Sequence, residues 1–281
     1  MKVTGLHSYP IKGMRGLDHT EMAIEERGPA GDRRWLLVDN ENHFITQRET
    51  SGLAKITVAE TASGLEISPE AGGVIKAAIP DGAIRANVKI WDDVVYAAVC
   101  ADATNAALSE ALQREVKLVF MDDEAHRKAG AEVVLTNSEV SFADAHPLLV
   151  TNEKSLTALN DQILGSGGEA VPMNRFRSNL VVNGVSAWEE DSWAVVECDG
   201  VIFDADIPCS RCIVTTQDQQ SGEGATDNQP IRVLTQFRRS GDPRVKGVLF
   251  GLNLIPRGSG TIKVGAEFKV LEAREKWKIV Q

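Results

Sequence analysis

Val195-Val-Glu-Cys-Asp-Gly-Val-Ile-Phe-Asp-Ala-Asp-Ile-Pro-Cys-Ser-Arg-Cys-Ile-Val-Thr-Thr216 is two apolar runs joined by Asp199-Gly200, then the chain's only closely spaced cysteines. An Asp-Gly pair between β-prone runs is a two-residue hairpin signal. Similar runs recur upstream. Asp39-Asn40-Glu41-Asn42 reads as a hairpin, and Lys55–Ala59, Leu65–Ser68, Val88–Trp91 and Val94–Ala98 read as short strands broken by Gly and Pro. Val248–Leu254, Thr261–Val264 and Phe268–Leu271 continue the pattern. Many short strands at close spacing argue a sandwich or barrel. Helical spacing is limited to Asp102–Glu115, a segment capped by Asn152, and one started by Pro230. The expected fold class is therefore mainly β with some helices (α+β). The polar run Asp122–Gly130 reads as a linker, which divides the chain into domains 1–121 and 122–281.

The 281 residues have ordinary globular proportions, 43% apolar and 25% charged. A net charge of −10 disfavours nucleic acid, whose phosphates need a basic surface. It leaves room for a small anionic ligand held by a few placed cations. The start, Met-Lys-Val-Thr-Gly-Leu-His-Ser, does not read as a signal peptide, and no apolar run reaches the roughly 18 residues of a membrane span. The expectation is a cytoplasmic protein without a membrane partner. Four cysteines are too few for a disulfide scaffold.

The cysteine block has several readings. Structural zinc needs four ligands, and here Cys100 and Cys198 are lone and no histidine pair has ligand spacing. A thioredoxin-type dithiol sits at a helix N-terminus, whereas Cys212 is followed by a β-branched run. If 208–214 is extended, Cys209 and Cys212 point to opposite faces, and Ser210 shares the face of Cys212 with Arg211 opposite. That favours a single functional thiol, Cys212. Cations gather at turn-to-strand edges: Lys12 and Arg15 in the turn after Tyr9-Pro10, and Arg33 and Arg34 before Trp35. In Asn174-Arg-Phe-Arg-Ser-Asn-Leu-Val-Val-Asn183, an extended backbone puts Arg177 and Asn179 on one face. A solvated strand face reads equally well from this segment alone. Thiolate suits soft metals, and Lys and Arg suit phosphate or a heterocycle edge. A metal-bearing, planar, anionic cofactor would use all of them. No Walker loop, dinucleotide fingerprint, Gly-x-Ser-x-Gly elbow or His-Glu-x-x-His is present. Gln217–Pro230 is long for a hairpin loop and reads as a lid.

Tyr9-Pro-Ile-Lys12, Gly31-Asp-Arg-Arg-Trp35, Phe176-Arg-Ser-Asn179, Glu190-Asp-Ser-Trp193, Cys209-Ser-Arg-Cys-Ile-Val-Thr-Thr216 and Gly260-Thr-Ile-Lys-Val-Gly265 occur in that order. The chain thereby resembles MOSC-domain proteins with an N-terminal MOSC β-barrel domain, the type that includes the amidoxime-reducing component and a bacterial relative. The resemblance implies a β-barrel-like domain over 1–121 and a MOSC domain over 122–281. It implies a molybdenum cofactor, Mo-pyranopterin, with Cys212 as the protein's metal ligand. By position, Lys12 and Arg33 would meet its phosphate and pterin, and Arg177, Asn179 and Ser210 would surround the pterin. Asp144 and His146 match a segment near the metal loosely, and Arg238 matches without an assigned role. Gly13 departs from the family, which often has Ser there. The implied activity is reduction of a small N-oxygenated substrate, with electrons from a separate donor protein. The alternative is a sulfur-carrier or cofactor-handling protein using a Cys212 persulfide.

Overall fold

The computed structural model describes residues 1–70, 72–134 and 137–280. Strands dominate it, with three α-helices among the described residues, as the spacing of short β-prone runs leads one to expect. Asp199 and Gly200 both have positive φ (47° and 81°), the backbone of a two-residue hairpin turn. They join Trp193–Cys198 to Val201–Arg211, with Cys198 opposite Val201. This hairpin lies in a ten-stranded sheet. Its main path runs Phe268–Ala273, Trp193–Cys198, Val201–Arg211, Val248–Pro256, Leu148–Asn152, Leu180–Val182, Val3–Ser8 and Leu17–His19.

The first strands are thus hydrogen-bonded to strands of the second half, in the ten-stranded sheet and in a separate three-stranded one. Val3–Ser8 pairs with Leu180–Val182, and Glu21–Glu25 pairs with Gly260–Lys263. One apolar core follows this pairing: Val3, Leu6, Met22 and Ile24 pack with Leu180, Phe203, Leu254 and Phe268. Trp35–Val38, Lys117–Phe120, Asp93–Val99 and Arg85–Ile90 form a separate four-stranded sheet over a second core around Ile11, Met14 and Leu118.

Around the cysteine block the structure corrects the expected strand. Val201–Arg211 precedes the second cysteine, and Ile213–Thr216 is a 3₁₀ turn. The Thr215 and Thr216 hydroxyls donate to the carbonyls of Cys212 (2.9 Å) and Ile213 (2.8 Å), which favours the turn over an extended run. Within the strand, the register against Val248–Pro256 slips between Ala205 and Pro208 and again between Pro208 and Ser210. Pro208 has no N–H for the ladder, so it sits where pairing is irregular. Each slip turns the strand and breaks simple alternation. The segment from Asn174 is corrected too. Met173–Phe176 is a 3₁₀ turn, Arg177 is left-handed at φ 52°, and the strand starts only at Leu180. Phe176 stacks on Phe250 with ring centroids 3.8 Å apart, which favours the turn over an extended path.

The polar run after residue 121 is built into the protein. Asp122 holds Arg85, and buried Arg127 donates to the carbonyls of Ser141, Ala143 and Asp144. Asn152 caps the helix Glu153–Gly165 by accepting from the Lys154 N–H at 2.9 Å. Arg238, at the end of the helix Ile231–Phe237, makes a buried two-pronged ion pair with Asp191 (2.7 and 2.8 Å) and stacks on Trp188. Its role is structural. No helix among the described residues is long and apolar enough to cross a membrane.

Glu190 is buried at the start of the helix Glu153–Gly165, accepting from Ser155 Oγ (2.6 Å) and Asn152 Nδ2 (3.0 Å). Burial pushes its carboxyl up to about 7. A raised folded-state value contributes stability that is full below the ordinary value of about 4.5 and is lost as pH rises through about 7. Glu190→Gln should therefore gain on the wild type between pH 5 and pH 8 by roughly 1–3 kcal/mol. Urea midpoints at the two pH values check this, and a wild-type pH slope in the variant would refute it.

Candidate active site cleft

A cleft opens where the strand Val201–Arg211 ends, between turns from both halves of the chain. Its first wall comes from the N-terminal half. The Tyr9–Lys12 turn runs beside Arg33–Trp35: Arg33 N donates to Tyr9 O (2.9 Å), Trp35 N to Pro10 O (3.1 Å) and Lys12 N to Trp35 O (2.9 Å). This pairing sets Lys12 and Arg33 side by side. Gly13 follows at φ +86°, a left-handed backbone that a serine would strain, and a Cβ there would meet Leu53 Cδ1 at 3.3 Å. Its carbonyl accepts from buried Gln47 Nε2 at 2.7 Å, which fixes the Thr46–Arg48 segment against the same wall.

The second wall carries Arg177, Asn179, Arg211 and both Cys209 and Cys212. The expected split of the two cysteines is corrected: Cys209 and Arg211 share the cleft face of the strand, and because the strand ends at Arg211 the chain turns at Cys212 and brings the second thiol to the same cleft. Ser210 goes elsewhere, donating to Lys246 O at 2.5 Å, and does not line the cleft. Lys12, Arg33, Arg177, Asn179 and Cys212 do line it together. Sequence reasoning missed Arg48 and Arg211. Arg48 lies in a turn of the same cation-bearing kind as Lys12 and Arg33, which was the available signal.

Local partners set the charge of each group. Lys12 Nζ pairs with Asp144 at 2.5 Å. Burial pushes the lysine down while Asp144 opposes the shift. Crowding by the cleft works against ionisation of Asp144, but Lys12, Arg48 and Arg33 overcome it and hold the carboxyl well below the usual range. Arg33 pairs with Asp32 at 2.6 Å and donates to Asn179 Oδ1 at 3.2 Å. The Asn179 amide also donates to His7 O and Asp32, so it is spent on holding the wall. Arg33 and Arg177 both stack on the Tyr9 ring, 4.4 and 4.2 Å from its centroid.

Arg177, Arg48 and Arg211 differ from those two cations. Among the described residues, none of them has a carboxylate at ion-pair distance. Arg177 donates to Gln219 Oε1 (2.9 Å), and burial pushes it down to about 10, so it stays cationic at neutral pH. Arg211 donates to Cys209 Sγ (2.8 Å) and Phe176 O (2.7 Å), and Arg48 to Cys212 Sγ (3.3 Å). Arg177 and Arg211 are half-buried and Arg48 is exposed, and a guanidinium partly removed from water without an anion is held at a cost.

His146 lines the cleft beside Asp144, and its Nε2 lies 2.8 Å from Asp206, whose carboxylate also accepts the N–H groups of Glu132, Val133 and Val134. The loop after Gln217 is pinned. Buried Gln217 and Gln219 bond Gln47, and Arg15 donates to Gln220 O. In this structure the start of the loop, expected to be a lid, is bonded to the N-terminal half, and none of its residues lines the cleft.

Residues 137–269 match the MOSC domain, and residues 1–115 match the MOSC N-terminal beta barrel domain. The chain is a MOSC-domain protein. Its similarity to named proteins runs nearly end to end. It is 27% identical to "Mitochondrial amidoxime reducing component 2" of Bos taurus, covering 94% of this chain and 81% of that one. Against "Mitochondrial amidoxime-reducing component 1" of Homo sapiens the figure is 26%, with 94% and 81% covered. "Molybdenum cofactor sulfurase" of Oryza sativa subsp. japonica is 24% identical over 93% of this chain but only 34% of its own length. The MOSC cleft thus gathers two thiols, Cys209 and Cys212, with Lys12, Arg33, Arg48, Arg177 and Arg211.

The four thiols should separate by reactivity. Burial pushes Cys100 and Cys198 up to about 12, and desolvation also raises Cys209. Iodoacetamide at pH 8 should label Cys212 first in the native protein and leave Cys100 and Cys198 intact until denaturant is added. Peptide mass mapping reads this out, and native labelling of Cys100 would contradict the described burial.

Proposed function

We propose that this MOSC protein binds a molybdenum-pyranopterin cofactor and reduces small N-oxygenated compounds with electrons from a separate donor protein. The observation that carries the reading is the cleft itself. Two thiols face a pocket in which Arg177, Arg48 and Arg211 lack carboxylate partners, and Arg211 already engages Cys209, which leaves Cys212. That donor set fits a phosphate-bearing planar cofactor with a thiophilic metal: the thiol suits the metal and the forked guanidinium groups suit the anion. When bound, the cofactor supplies the two-electron chemistry that cleaves an N–O bond.

The chain's own residues hold and orient it. Cys212 offers its sulfur as the metal ligand. Lys12 and Arg33 present their charge from the N-terminal wall, and Arg177 faces them across the Tyr9 ring. Asn179 braces Arg33, and Arg48 places positive charge against the Cys212 sulfur. Ser210, whose hydroxyl is turned to Lys246, supports the block from behind. Overall, reduction of an N-hydroxy group takes up two electrons and two protons and releases water. The mitochondrial amidoxime reducing components, similar over most of their length, support this activity class.

The likeness to the molybdenum cofactor sulfurase favours a second reading, in which Cys212 carries a persulfide or passes cofactor on. Elemental analysis separates the two. Protein from a cofactor-competent host should contain molybdenum, lose it in Cys212→Ala and keep it in Cys209→Ala, and it should drive dye-linked reduction of N-hydroxy compounds. Equal molybdenum in Cys212→Ala sinks the ligand assignment. An added sulfur on Cys212 in the intact mass, without molybdenum, supports the carrier.

A further inference from the structure

We infer that Trp91 is a positioning residue for the cleft, holding the Arg48 guanidinium against the Cys212 sulfur. Arg48 is an exposed, flexible side chain, and among the described residues no carboxylate is at ion-pair distance from it. Such a side chain loses several rotamers' worth of freedom when it is fixed. Two contacts define its place. Nη2 lies 3.3 Å from Cys212 Sγ, and the guanidinium carbon lies 4.7 Å from the centroid of the Trp91 ring. The thiol alone is a weak acceptor. The ring is the larger contact, and its face attracts a cation.

Trp91 is itself in a place its local backbone does not favour. It opens the two-residue loop Trp91-Asp92 between Arg85–Ile90 and Asp93–Val99, with Ile90 opposite Asp93. Its φ is +53°, a conformation suited to Asn, Asp or Gly and poor for a bulky aromatic. The ring also stays 40% exposed, so the position is not explained by burial. What the ring does contact is Arg48 on its face and Phe44 edge-on, at 4.9 Å and 60°. Phe44 in turn lies under Lys12 Nζ at 5.9 Å. An aromatic pair from the N-terminal half thus backs two of the cleft's cations. The inference concerns Arg48 and a thiol, and it stands whichever ligand Cys212 carries.

The test uses the full-length chain purified from a host that lacks the molybdenum cofactor. Alkylation rates at Cys212 are measured with anionic iodoacetate and neutral iodoacetamide, mapped by peptide mass spectrometry. Their ratio reports positive charge at the sulfur, because the thiol's own reactivity is common to both reagents. Trp91→Ala should lower the ratio about threefold, the scale of an exposed cation–π contact. Arg48→Gln should lower it at least as much, and the double variant should fall no further than Arg48→Gln alone. Trp91→Phe should keep most of the ratio. Trp91→Asn supplies a residue that the left-handed turn favours. It should keep or raise the melting temperature while losing the ratio, which separates positioning from folding. A wild-type ratio in folded Trp91→Asn, or a double variant that falls by the product of the two singles, overturns the inference.

Discussion

The hydrogen bonding of Val3–Ser8 to Leu180–Val182 is the constraint on which the cleft depends. Two strands about 175 residues apart in sequence are held about 5 Å apart in the sheet. The turns that leave them, Tyr9–Lys12 on one and Arg177–Asn179 on the other, are then forced to face each other. Tyr9 fills the space between, with its hydroxyl donated to Ser178 O and guanidinium groups of Arg33 and Arg177 on its ring. Separate folding of the two halves would leave each set of cations without the other, and Cys212 without Lys12, Arg33 or Arg48.

A cationic cleft in a chain of net charge −10 has an electrostatic consequence. Like charges gathered in one place repel, and the protein offsets this only in part. Asp144 and Asp32 pair with Lys12 and Arg33. The remaining guanidinium groups lean on aromatic rings, sulfur and carbonyl oxygens, which are weaker partners than a carboxylate. Such a site is preorganised for an anion, since the charges are already placed and the ligand need not rearrange them. The buried amides of Gln47, Gln217 and Gln219 contribute by locking the walls without adding charge.

Much of the site was legible in the chain because local chemistry writes itself into short motifs. Lys12 and Arg33 stand at turns marked by Pro10 and Gly31, and Cys212 stands in a block with no rival thiol pair. Asn152, Pro230 and Asp199-Gly200 marked their helix starts and hairpin because capping and turn geometry depend on one or two residues. Ser210 and Arg211 were misplaced for a physical reason. Alternation holds only while the strand lasts: Cys209 and Arg211 share the cleft face, but the strand ends at Arg211, so Cys212 follows the turn into the 3₁₀ segment and joins them in place of Ser210. Arg177 and Asn179 reached the cleft as expected, but through a left-handed residue rather than an extended strand.

By itself the sequence determined the β-rich class and picked out the cysteine block and several of the cations that line the cleft, since each rests on residue type and near-neighbour spacing. Tertiary structure decided which groups meet. Arg48 reaches Cys212 across 164 residues, Trp91 lies under Arg48 from a different hairpin, and Arg238 is drawn into Asp191. Those pairings follow from strand register and from the burial of charge, which are properties of the assembled sheet and leave no periodicity in the chain.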